Sequence, residues 1–190
     1  MKLRIGMIVL LMGLLTAVTI LASDTPEQTA GAEQPQWGPP PELKQMDGFI
    51  GDWTYTGRML TDPADTNWIE HTADVTYRYV AGGGAIMMEF TGEMMGMEMA
   101  GLSIITYDRE RKEWQQMWVD GFVGRQSYYT GRFTSDGKQV VSGVDLMNGQ
   151  EFQTRIIISD ITSDRFTWIM ENSMDGRNWF VSMEGEYTRK

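Results

Sequence analysis

No cysteine occurs among the 190 residues. That excludes a disulfide framework, a thiolate metal site, Cys–His catalysis and a thiol for a lipid anchor. Histidine is nearly as scarce, with His71 alone, and no Gly-x-Ser-x-Gly elbow supports a serine hydrolase. Positive charge is in short supply. The 16 Lys and Arg stand against 26 Asp and Glu, a net charge of -10, so nucleic acid and anionic membrane surfaces are repelled. Beyond residue 41 the only proline is Pro63, which leaves the later strands free to pair. Long apolar runs are missing too, except from Ile5 to Ala22.

That run comes after Lys2 and Arg4 and precedes Ser23-Asp24, the charged, apolar, small order of a secretory signal. At about 18 residues it also nears the length of a membrane-spanning helix. Residues 1–22 therefore read as a signal peptide or an N-terminal anchor. The chain is expected to be exported, periplasmic or in the cell envelope, with a possible membrane tether through residues 5–22. Residues 23–41 hold five of the six prolines together with Glu27, Gln28, Glu33 and Gln34, an acidic linker that stiffens at its end. Residues 42–190 form the domain. It opens with a short helix, started by Pro41-Glu42 and stopped by Gly48, that is expected to plug one end of a barrel.

The barrel is read from ten runs rich in β-branched, aromatic and methionine residues, roughly 52–60, 69–80, 85–93, 98–107, 113–120, 125–134, 138–146, 150–159, 165–172 and 178–188. Turn residues separate them, among them Gly82-Gly83-Gly84, Ser135-Asp136-Gly137, Asn148-Gly149 and Asp175-Gly176. Such short connections permit only antiparallel neighbours, because a parallel crossover needs a dozen or more residues. The expected fold is all-β, an antiparallel up-and-down barrel of about ten strands, closed so that no edge is left to aggregate.

Alternation assigns the faces. Trp53, Tyr55 and Met59 point in, as do His71, Ala73, Val75 and Tyr77, then Ile86, Met88 and Phe90, then Phe152, Ile156 and Ile158, then Phe166, Trp168 and Met170. In the last strand the inward set is Trp179, Val181, Met183, Gly185 and Tyr187, with Phe180, Ser182, Glu184 and Glu186 outside. The runs at 113–120 and 125–134 show no clean alternation, and their faces stay open.

With Gly51-Asp52-Trp53 at the first strand and Glu186-Tyr187-Thr188-Arg189 at the end, the chain resembles the calycins, the superfamily of lipocalins, fatty-acid-binding proteins and nitrobindins. The resemblance implies that Trp53, next to Gly51, sits at the closed end of the barrel with Arg189 packed over it. More narrowly, Pro41-Glu42-Leu43, Phe49-Ile50-Gly51-Asp52-Trp53, Gly92-Glu93-Met94-Met95-Gly96 and Thr106-Tyr107-Asp108 make residues 40–190 look like the exported domain-of-unknown-function family 1579.

The inward faces mix large aromatics with a few polar groups, which suits a small apolar or amphipathic ligand held inside. The expected lining is Tyr55, His71, Tyr77, Met88, Phe90, Arg132, Trp168, Met170 and Met183, with Tyr55, His71, Tyr77 and Arg132 as polar anchors. No cofactor or metal is expected. As a haem ligand in analogy with nitrobindins, His71 lies in the second strand, whereas the resemblance places a ligand near the end of the barrel. Met94, Met95, Met97 and Met99 resemble a Cu(I)-capturing thioether cluster, but 16 methionines spread along the chain favour their use as adaptable filler. Gly82-Gly83-Gly84 leads into a strand and not into the helix that a phosphate cradle needs. An enzyme using paired acids, Glu89 with Glu93 or Asp120 with Asp145, is one alternative, and a structural envelope protein with a filled core is another.

Overall fold

The computed structural model describes residues 37–60, 67–147 and 149–190. The expected signal or anchor and most of the expected linker lie outside the described residues. No helix among those described is long and apolar enough to cross a membrane.

Ten strands succeed one another in a closed antiparallel barrel: β1 Gly51–Leu60, β2 Trp68–Val80, β3 Ala85–Met94, β4 Met97–Asp108, β5 Glu113–Asp120, β6 Gln126–Phe133, β7 Gln139–Met147, β8 Gln150–Ser159, β9 Arg165–Ser173 and β10 Phe180–Arg189. Neighbours in sequence are neighbours in the wall, and β10 closes onto β1. The strands tilt strongly. Trp53 stands opposite Val75, Val75 opposite Phe90, Phe90 opposite Gly101, and Gly101 opposite Asp120. The first residue of that line is at the start of β1 and the last at the far end of β5, which is the stagger that closing a sheet imposes.

The two ends of the barrel differ. The floor carries a helix at Pro41–Phe49 that is of the 3₁₀ type, and it runs one residue past Gly48, where the sequence places its stop. Leu43, Met46 and Phe49 are its buried residues, three apart because a 3₁₀ turn has three residues and stacks positions i and i+3 on one face. Phe49 packs between Tyr77 and Phe166, with ring centroids 6.0 and 4.8 Å away, and Gln139 donates to Met46 Sδ. Trp53 is wholly buried and its Nε1 donates to the Phe49 carbonyl at 2.7 Å. Arg189 lies over the Trp53 ring at 4.2 Å and donates to the carbonyls of Ser163, Ile50 and Gly48, so one side chain ties β10, the β8–β9 turn and the plug together. Gly51, at φ +131°, is required here, since a Cβ would stand 2.6 Å from the Arg189 guanidinium.

Three face assignments at the start of β10, those of Trp179, Phe180 and Val181, are wrong. A bulge between Val181 and Met183 shifts the register, placing Phe180 opposite Asn172 and Val181 opposite Glu171. Toward the floor, Met183, Gly185 and Tyr187 keep the inward face. Beyond the bulge the faces exchange: Phe180 turns in, while Val181 and Trp179 turn out. Trp179 is covered by the Arg155 guanidinium at 4.4 Å, which also pairs with Glu171. An extra residue in one strand reverses all side chains past it.

Candidate functional site

The mouth is the end where β3, β5, β7 and β9 finish, and among the described residues no helix covers it. Inward side chains record the difference. Near the floor Trp53, Ile86, Trp114, Val141, Phe166 and Tyr187 are buried, whereas toward the mouth Met59, Phe90, Trp118, Phe152, Trp168, Met170, Phe180 and Met183 are only half-buried although they face the interior. The inward face is thus tightly packed at the floor and partly solvent-accessible toward the mouth.

Inward glycines make room for aromatic rings against the wall. Gly57 and Gly185 are paired across β1 and β10, and the Tyr55 ring lies flat over both, so a Cβ at Gly57 would meet the phenol at 2.2 Å. Trp118 lies over Gly101 in the same way, 2.1 Å from where a Cβ would stand, and Tyr129 over Gly143 at 2.8 Å. Each ring therefore lies along the wall instead of crossing the cavity. Phe90 bridges two of them, 6.0 Å from Tyr55 and 6.2 Å from Trp118. Met59 stands opposite Met183 and Met183 opposite Met170, a row of thioethers that joins the first strand to the last two.

Among the described residues, His71 is one of two buried polar groups on the inner face whose side chains lack a well-formed hydrogen bond. It is 5 % exposed, it faces inward opposite Gly57, its ring rests on Tyr55 at 5.2 Å, and neither ring nitrogen makes a hydrogen bond of normal geometry, the Ile69 backbone being the one polar group close enough to act on it. Burial holds its pKa below the usual 6.5, with the Ile69 backbone and the Glu70 charge pulling weakly the other way. The imidazole is thus neutral, with one N–H to give and one lone pair to receive. Ser103, on the inner face of β4 opposite Met88 and Trp118, is fully buried and its hydroxyl is likewise unpartnered.

β2 and β7 are five strands apart whichever way one goes round the barrel, so Asp145, inward near the mouth end of β7, sits on the wall opposite His71. Its carboxylate accepts from Ser127 Oγ at 2.5 Å, Tyr129 OH at 2.7 Å and Thr154 Oγ1 at 2.7 Å, with Arg125 at 3.9 Å. Burial, and then the Asp145 charge, push the Tyr129 phenol far above its usual range, so it stays a donor. Asp145 is a satisfied knot joining β6, β7 and β8.

The other expected residues divide. Tyr55, Phe90, Trp168, Met170 and Met183 converge on the mouth half with His71, and Met88 lies deeper, opposite Tyr77 and Ser103. Tyr77 belongs to the floor, buried against Phe49 and Phe166. Arg132 is not in the lumen: it lies on the outer face of β6, exposed, one residue from the inward Gly131 and Phe133. Of the hairpin methionines, Met94 turns in and is buried while Met95 and Met97 are exposed, so the four do not converge. Glu89 and Glu93 are on the outer wall, Glu89 paired with Arg78. Asp120 accepts from Trp118 Nε1 and from the Phe122 and Val123 amides, which occupies it as a turn-former. The sequence missed Trp118, Tyr129 and Phe180, and it paired Asp145 with Asp120, whereas its partners are Ser127, Tyr129 and Thr154. The first two lie in the strands without clean alternation, because the outer faces there carry Met117, Val119 and Tyr128.

Residues 38–189 match a family model described as "Protein of unknown function (DUF1579)". No curated protein matches the chain. Among solved structures, it is similar to Rv2717c from M. tuberculosis, with 12% identity and a TM-score of 0.61 over 80% of this chain and 99% of that one. It is also similar to the S-type phycobiliprotein lyase CPES from Guillardia theta, with 13% identity and a TM-score of 0.51 over 77% of this chain and 91% of that one. At such identities the likeness is one of fold, that of a calycin-like barrel.

Proposed function

This chain belongs to the DUF1579 family, and we propose that its barrel binds one small apolar or amphipathic molecule, admitted through the mouth and oriented by His71. The observation that carries the proposal is the unpartnered His71 among half-buried aromatics and methionines. A buried polar group without a hydrogen bond costs about 1–3 kcal/mol, and a ligand with a donor or acceptor at one end removes that cost. A neutral imidazole can do either, so a carboxylic acid, amide, lactam or alcohol head group fits, with an apolar body along Tyr55, Phe90, Trp118 and Trp168. A similar barrel named as a phycobiliprotein lyase in Guillardia theta is compatible with this reading. The chain acts outside the cytoplasm, and no resident metal or cofactor enters the reading.

An environment-sensitive apolar probe should bind and be displaced by fatty-acid-like or flat aromatic molecules that carry one polar end. Met170→Trp should weaken that binding more than it lowers stability, because the ring would enter accessible space and not packed neighbours. His71→Ala should change the ranking of head groups with the fold intact. No binding by any probe, together with unfolding of Met170→Trp, would overturn the reading in favour of a filled core.

A further inference from the structure

The mouth hairpins carry large exposed apolar side chains at their tips, beside the charged Arg125, Asp175 and Arg177, whereas the floor turns carry none, although Trp37, next to Gly38 at the floor-turn Arg109, is 90 % exposed. At the mouth, the β3–β4 turn exposes Met95, with Met97 at the start of β4, the β5–β6 turn exposes Phe122 and Val123, the end of β7 exposes Leu146 and Met147, and the β9–β10 segment exposes Met174. These side chains are 42 to 61 % accessible. Every described mouth hairpin therefore holds a large apolar side chain in water at its tip. At the floor the corresponding turns carry Arg109, Glu110, Arg111 and Lys112, then Asp136 and Lys138, then Asp160 and Asp164, while the β2–β3 turn is Ala81 and glycines. Composition alone cannot produce this partition, since the same alternation builds both ends of each strand. Large apolar side chains held in water at several neighbouring tips are a cost that an interaction would remove.

We infer that the mouth docks onto a zwitterionic lipid surface, its hairpin tips entering the interfacial region. The inference goes beyond lumen binding and stands on the tips alone, although the lumen gives it a use: a ligand could pass between lipid and barrel without crossing water. The apolar residues sit on separate protrusions around a ring, not on one flat face. A fluid surface accommodates separate tips, whereas a second protein would need a matching pocket for each. A second copy is disfavoured further because each chain carries a net charge of -10. The same charge selects zwitterionic over anionic lipid.

Because the chain has no cysteine, Val123→Cys and Asp136→Cys each create one labelling site, at a mouth tip and at a floor tip. Each full-length variant, carrying an environment-sensitive fluorophore, is mixed with phosphatidylcholine vesicles containing brominated acyl chains. The label at 123 should shift to the blue and be quenched several-fold more than the label at 136. Replacing part of the phosphatidylcholine with phosphatidylglycerol should weaken the quenching. Phe122→Ser, Met147→Ser and Met174→Ser together in the Val123→Cys chain should abolish it while the lumen still binds its apolar probe in solution, which separates failure of docking from failure of lumen binding. Absence of quenching at 123, equal quenching at 123 and 136, or quenching that survives the three serines would each overturn the inference. The first result would point to a protein partner for the tips, and the second to a tether through the N-terminal segment alone.

Discussion

His71 and Trp53 are both buried rings on the inner wall, and they do opposite things. Trp53 is fully satisfied, by the Phe49 carbonyl and the Arg189 plane, so removing it removes packing. Trp53→Ala should cost about 3–5 kcal/mol in denaturant unfolding. Arg189→Ala should cost less, and the two losses should fall short of their sum in the double variant, as contacting residues do; additive losses would show that the stacked contact carries no energy. His71 is unsatisfied, and its effect is on pH. Its folded pKa lies below the unfolded 6.5, so between those two values the unfolded chain binds a proton that the folded chain does not. Its contribution to stability is therefore present above 6.5 and is lost as pH falls through that window. Urea unfolding of wild type should weaken more between pH 7 and pH 5 than that of His71→Ala, and equal losses would mean that the imidazole is protonated without penalty in the fold.

The barrel's strands use glycine in a way that a propensity scale counts as a defect. On the inner face of β4, Gly101 leaves space that the Trp118 ring fills, and the Trp118 Nε1 is held by Asp120 two residues along the same strand as the ring. Gly101→Ala should lift the ring off the wall and into the lumen. Probe affinity is expected to drop about tenfold or more, with a stability loss of about 1–3 kcal/mol from overpacking. A variant that binds the probe as wild type does would show that Trp118 does not border the occupied space. The β10 bulge works on the same scale: the extra residue there aims Phe180 at the lumen and releases Trp179 to Arg155.

Across the whole molecule, one end is sealed by the plug and its tryptophan while the other presents accessible aromatics, methionines and a lone imidazole. On the proposed function such a barrel works where its ligand is met, and the charged-then-apolar start of the chain is the reason to expect that meeting outside the cytoplasm. The protein recovered from an envelope or secreted fraction should begin near Ser23 or Asp24 by intact mass; a mass that includes residues 1–22 would replace release with anchoring.

Much of the fold was legible in the sequence, because short turns exclude parallel crossovers and because a period of two in burial is a local property. Trp53, Tyr55, His71, Phe90 and Phe166 could all be placed inside from their own strands. The faces of β5 and β6 could not, since their outer residues are themselves apolar and hide the alternation, and Arg132 went to the wrong side as a result. Nor could Trp179, because a bulge is a matter of register between two strands and leaves no mark in either alone. The sequence by itself therefore determined the strands, their antiparallel order and the sealed floor. Only the closed barrel decided the site: the row of Met59, Met183 and Met170, the knot at Asp145, and the isolation of His71 depend on which strands tilt into register, and that is set by closure over the full circumference and not by any one segment.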